Sequence, residues 1–220
     1  MEPPANIPRV ALIDAGGANL GSVRYALARL GVDAMVTSRE DEIARADRII
    51  LPGVGAAGPG MRLLRERGLL DVLRDPPAPL LGICLGMQLL FDGSEESDVE
   101  CLGLLPGLVS RLPESPGIRV PHMGWNALSA LRATPLLDGI QAGEQAYFVH
   151  SYAAPVTSDC VAECEHGIRF AAVVQRGLIA GAQFHPERSA APGSQLLRNF
   201  IGLGARDRSM QAAGEAACPA

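Results

Sequence analysis

The chain has 220 residues, 48% of them hydrophobic and 20% charged, with a net charge of −5. That is the balance of one soluble globular domain, and no run approaches the roughly 18 apolar residues of a membrane span. Arginines are scattered among acids, so there is no electrostatic footprint for nucleic acid, and the acidic, proline-containing start "MEPPANIPRV" lacks the pattern of a signal peptide. A cytoplasmic location is therefore expected, with its five cysteines mostly reduced.

Aromatic residues are only 4% of the chain. Leu, Ile, Val and Ala must fill the core, a composition that suits helices packed on a sheet. "RVALIDAG" reads as a buried strand ending in glycine. Leu20, Val23, Leu27 and Leu30 follow at helical spacing between Asn19 and Gly31. A strand at "VDAMVT", a short helix near "DEIARA", the strand "RIILPG" and one long helix in "MRLLRERGLLDVLRD" continue the alternation and predict a largely parallel sheet. "PLLGI" is a further strand, and "LGMQLLFDG" a short helix with Gly93 at its end. From about Gly103 the β-like runs "QAYFVHSY", "CVAECEH", "RFAAVVQ" and "LIAGAQF" predict hairpins added to that sheet. "GSQLLRNFIGLGA" closes as a helix. A single domain spanning 1–220 is expected, with 204–220 as a flexible tail.

Cys84 falls at the strand-to-helix junction of "LLGICLGMQLL", between Gly82 and Gly86. Two glycines permit a crowded turn that lifts residue 84 out of the sheet, the shape of a nucleophile elbow with Cys in place of Ser. Unpaired N–H groups at a helix start favour a thiolate and can hold a developing oxyanion. Taken alone, the pattern suits a packed cysteine equally well. Of the four histidines, His185 in "AQFHPERS" is the best base. It follows an apolar run that ends at the same sheet edge, and Glu187 stands two residues on to orient it. "LPGVGAAGPG" lacks the spacings of a nucleotide loop, but its Gly53–Gly55 backbone can turn an N–H toward a substrate carbonyl beside that of Leu85.

Together "LPGVG", "GICLGMQLLF" and "QFHPERS" resemble the class I (triad) glutamine amidotransferases, in order and over almost the whole chain. "VPHMGWN" and "YFVHSY" narrow the resemblance to the glutaminase subunits of imidazole glycerol phosphate synthases. The likeness implies an α/β, flavodoxin-like three-layer fold, a mostly parallel central sheet with antiparallel additions in the C-terminal half. It also implies glutamine hydrolysis to glutamate and ammonia by Cys84, His185 and Glu187, with no cofactor and no metal. By the same likeness Gly53, Val54, Gly55 and Leu85 would form the oxyanion hole, and Gln88, Ser151 and Tyr152 would hold glutamine. A (β/α)-barrel cyclase would be the partner in a heterodimer, taking the ammonia to convert the nucleotide PRFAR into imidazole glycerol phosphate and AICAR in histidine biosynthesis. Asn19, Trp125, Tyr147 and Arg188 would lie at that interface or its channel mouth.

Two departures from the family pattern stand out. "DAGGANL" replaces a motif usually like "DYGMGNL", and Arg188 stands where Lys is frequent; its planar group pairs differently with a carboxylate. Cys160, Cys164 and His166 do not predict a zinc site, because strand positions four apart are separated by about 13 Å, against bonds of about 2.3 Å. His122 and His150 read as structural, holding loops near the pocket or interface, with contact to substrate as the alternative for His150 beside Ser151. The competing functions are ammonia supply to another synthase, a cysteine hydrolase or peptidase of similar fold, and a non-catalytic binding module, whose mark would be a missing triad member.

Overall fold

A computed structural model of the chain describes residues 8–14 and 19–203. The expected tail, and positions 15–18 of the "DAGGANL" motif, which include its three departures from the family pattern, lie outside the described residues. The first half runs β1 (Val10–Ile13), α1 (Leu20–Arg29), β2 (Ala34–Thr37), α2 (Glu40–Ile43), β3 (Arg48–Gly53), α3 (Ala57–Glu66), α4 (Leu70–Arg74), β4 (Leu80–Cys84) and α5 (Leu85–Gln88). There follow β5 (Phe91–Ser94), β6 (Val99–Glu100), β7 (Leu105–Arg111), β8 (His122–Ala127), β9 (Gln145–His150), β10 (Tyr152–Ala153), β11 (Cys160–His166), β12 (Ile168–Arg176), β13 (Ile179–Ala182) and α6 (Ala190–Gly202).

The central sheet has seven strands in the order β11-β12-β13-β4-β3-β1-β2. From β13 to β2 every neighbouring pair is parallel, while β12 and β11 add on antiparallel. Side chains alternate across each strand, so the buried run of β1 supplies two cores at once. Val10 and Leu12 face one layer with Val23 and Leu27 of α1 and Leu197 and Phe200 of α6. Ala11 and Ile13 face the other, against Met61 and Leu64 of α3 and Leu73 of α4. This is the three-layer arrangement expected. No helix among the described residues is long and apolar enough to cross a membrane.

The structure differs from the expected elements in three places. The long helix of "MRLLRERGLLDVLRD" begins earlier, at Ala57, and breaks at Gly68, whose φ of 68° lies in the left-handed region that ends helices. The helix after Cys84 stops at Gln88; the apolar run beyond it becomes β5, in which Gly93 pairs with Glu100 instead of capping a helix. "QAYFVH" does not join the central sheet. It forms β9, which pairs with β8 in a separate two-stranded ribbon, while β10, β7, β5 and β6 make a four-stranded sheet of their own.

Candidate active site

Backbone packing determines where Cys84 goes. It ends β4 in register with Gly53 of β3 and precedes the first residue of α5 with φ 54° and ψ −113°, a strained conformation for a residue with a side chain. A Cβ on Gly86 would sit 1.8 Å from the Leu51 carbonyl oxygen, and one on Gly82 would sit 2.5 Å from that of Gly86. Glycine at both positions lets β3, β4 and α5 approach closely enough to hold the turn. Leu85 opens α5, so its N–H belongs to the set that a helix leaves without an intrahelical partner.

His185 and Glu187 lie just beyond β13, on the strand neighbouring β4. Backbone bonds fasten the base to the ribbon. His185 N–H donates to the Tyr147 carbonyl at 2.9 Å, and the buried Ser189 hydroxyl donates to the His185 carbonyl at 2.7 Å while accepting from Tyr147 N–H at 2.9 Å. His185 Nδ1 lies 2.9 Å from Glu187 Oε1, with both side chains almost wholly enclosed. Asn19 Nδ2 donates to the same carboxylate oxygen, so this residue sits behind the base. The tie to Glu187 places the proton of a neutral imidazole on Nδ1 and leaves Nε2 as acceptor.

His185 Nε2 is buried and forms no hydrogen bond among the described residues. It shares a cavity of about 290 Å³ with Cys84. Burial opposes charge on His185, but the Cys84 sulfur and the Glu187 carboxylate outweigh it and push its pKa up to about 10. Burial likewise opposes charge on Glu187, whose bonds from His185 and Asn19 hold the carboxyl below its usual value. A hydrogen bond to a charged group contributes about 1.5–3 kcal/mol, which suffices to fix the ring.

Val54, Gly55, Leu85, Gln88, Ser151 and Tyr152 line the same cavity, and Gly53 lies beneath Leu85. Gln88 Nε2 donates to the Tyr152 carbonyl at 2.7 Å and to Gln183 Oε1 at 3.0 Å, which leaves Gln88 Oε1 as its free polar atom. Two lining or adjoining residues are absent from the sequence reading. Glu96, in the β5–β6 turn, reaches the cavity and accepts from Ala57 N–H at 2.8 Å at the start of α3. Nothing local in the sequence singles it out. Gln183 is fully buried with Nε2 3.8 Å from Cys84 Sγ; its signal is a polar residue closing the apolar run two positions before His185.

The opposite wall holds a chain of neutral histidines. His150 Nδ1 donates to the Tyr152 carbonyl at 2.8 Å, His122 Nδ1 lies 3.0 Å from His150 Nε2, and Asn126 Nδ2 lies 3.2 Å from His122 Nε2. Burial pushes His150 down to about 3 and, with His166 stacked 4.1 Å away, His122 down to about 4. The outer face of this β8–β9 ribbon is apolar. Met123 is 68% exposed and Trp125 54%, Trp125 meets Tyr147 edge to face, and the exposed Arg188 guanidinium lies 6.0 Å from the centre of the Tyr147 ring. Trp125, Tyr147 and Arg188 thus share one surface, and Asn19 lies against Glu187 of the triad. Cys160, Cys164 and His166 all lie on β11, and burial pushes the two thiols up to about 11 and 12.

Residues 11–203 match the family model for glutamine amidotransferase class-I. Imidazole glycerol phosphate synthase subunit HisH of Xanthomonas axonopodis pv. citri is 62% identical over 192 residues, 87% of this chain and 96% of the relative. The protein of the same name from Xylella fastidiosa (strain Temecula1) is 60% identical over 196 residues, 89% of this chain and 98% of its own. Among solved structures, PurLQS from Thermotoga maritima has a similar fold with TM-score 0.68 at 20% identity, covering 89% of this chain and 98% of that one. A structure described as a glutamine amidotransferase also has TM-score 0.68, at 22% identity, covering 88% and 97%.

Proposed function

The chain belongs to the class-I glutamine amidotransferase family, and from that premise we propose that it is the glutaminase subunit of an imidazole glycerol phosphate synthase in histidine biosynthesis. The observation that carries the reaction is one cavity lined by Cys84 and His185, with His185 Nδ1 held 2.9 Å from Glu187. Sγ, its proton already passed to His185 Nε2, the ring atom left free for it, attacks the side-chain amide carbon of glutamine as an anion. The oxyanion that forms is met by Leu85 N–H and the Gly53–Gly55 backbone. The imidazolium then protonates the departing ammonia, leaving a thioester, and the neutral ring takes a proton from the water that hydrolyses it to glutamate. Glu187 stabilises the imidazolium at both steps, while Asn19 holds Glu187. Gln88 Oε1 and Glu96 supply acceptor and negative charge for the α-ammonium of glutamine, and Ser151 and Tyr152 bound its other side.

The partner in this reading is a (β/α)-barrel cyclase. It docks on the apolar outer face of the β8–β9 ribbon, where Val149 both faces outward and lines the cavity. Ammonia released at Cys84 then passes between Trp125, Tyr147 and Arg188 toward the nucleotide PRFAR. The Val54–Gly55 turn, with Gly55 at φ 98°, is the mobile backbone donor that the loaded partner sets in place. Glutamate release measured with and without the cyclase and its nucleotide tests this: stimulation of about 5- to 150-fold is expected. A rate indifferent to the cyclase would remove the switch, and ammonia left unused by the cyclase would point to another synthase.

A further inference from the structure

Gln183 takes no part in the triad, yet its amide lies against the nucleophile, with Nε2 3.8 Å from Cys84 Sγ. Main-chain chemistry dictates which end of that amide faces the sulfur. A peptide carbonyl can only accept hydrogen bonds, so the Gln88 atom 2.7 Å from the Tyr152 carbonyl must be its NH2 group. The second hydrogen of that group points at Gln183 across 3.0 Å and requires an acceptor there. Gln183 therefore turns Oε1 toward Gln88 and has only its own NH2 to offer the sulfur. The side chain is fully buried, so water cannot reorient it.

We propose that Gln183 is a further catalytic residue, whose amide N–H donates to the Cys84 sulfur and favours the anion that attacks glutamine. This rests on the glutaminase reading above. A hydrogen bond to an ionised acceptor is stronger than one to its neutral form, so the contact discriminates between the two states of the sulfur. The thiol has an outlet of its own in the Val149 carbonyl, 3.9 Å from Sγ. Gln183 neither gains nor loses a proton; the proton of Sγ still goes to His185 Nε2.

Alkylation of Cys84 by iodoacetamide, followed on its own peptide by mass spectrometry across pH, reads the sulfur without invoking glutamine. In Gln183→Met, of similar size and without a donor, the rate at pH 7 is expected to fall about fivefold. The deficit should vanish at high pH, where the sulfur is ionised in both proteins; a merely structural defect would persist there. Gln183→Glu, which keeps the shape but presents an anion, should react more slowly still. Thermal unfolding establishes which variants are folded, and a folded variant of either kind that matches the wild-type rate at pH 7 overturns the proposal. Inactivation by the glutamine analogue diazo-oxo-norleucine is a separate arm. Wild-type protein that reacts with iodoacetamide and not with this analogue would overturn the glutaminase reading alone, since the iodoacetamide rates judge Gln183 whatever the substrate.

Discussion

Two histidines on opposite walls of one cavity are equally enclosed, His185 at 4% exposure and His150 at 6%, and are driven in opposite directions. His185 is pushed up to about 10 and His150 down to about 3, from the same ordinary value of 6.5. Burial lowers both, so burial does not decide the outcome. The difference lies in the partners: His185 faces a carboxylate and a sulfur, whereas His150 faces a peptide carbonyl and another neutral ring. One wall is arranged to take and return a proton, the other to stay neutral and hold Tyr152 in place.

The strongest test of this division removes the sulfur. Cys84→Ala should lower glutamine hydrolysis by about 10⁴-fold or more, yet leave synthesis from free ammonia by the cyclase complex intact; residual glutamine-dependent product would mean that another residue attacks. Next, Glu187→Gln deprives His185 of its carboxylate. Glutaminase turnover should fall by about 10²- to 10⁴-fold, and the His185 titration, followed by NMR, should drop from about 10 toward 6.5. An unmoved titration would assign the shift elsewhere. Smaller is the expected effect of His150→Leu, which removes one donor from the Tyr152 carbonyl. KM for glutamine should rise about fivefold, with kcat within about twofold; loss of kcat alone would place His150 in the chemistry.

The pH dependence of folding separates the walls again. A folded pKa raised above the unfolded one gives His185 a contribution fully present below pH 6.5 and lost as pH rises to about 10. The lowered values of His150 and His122 give contributions present above pH 6.5 and lost as pH falls toward about 3 and about 4. Each slope is on the order of 1 kcal/mol per pH unit. Denaturant unfolding across pH should show the acid limb flattened in His150→Leu and the alkaline limb flattened in Glu187→Gln. Flattening of the same limb by both would erase the contrast.

What the sequence made legible follows from how local each feature is. The elbow shows because Gly82, Cys84 and Gly86 are neighbours in an apolar run, and the β1-to-β4 alternation because each element carries its own period. The run through Gly93 reads as helix because Leu89, Leu90 and Phe91 continue a helical pattern locally. Phe91 instead pairs with Leu105, a contact that no local period announces. The ribbon was legible as β structure but not as a separate sheet, since strand partners are chosen by tertiary packing. Asn19, expected at the partner interface or its channel mouth, donates to Glu187, more than 160 positions away in the chain. Gln183 and Glu96 function through bonds to Gln88 and Ala57, so their roles exist only once the chain is folded.

The central claim is that Cys84 and His185 form a nucleophile and its base. Rapid quenching during glutamine turnover by the complex with the cyclase, followed by peptide mass spectrometry, tests it most directly. A γ-glutamyl thioester on Cys84 that forms and decays at the rate of glutamate release is the expected result. Undiminished glutamate release with Cys84 unmodified throughout, or an acyl group carried on another residue, would contradict it.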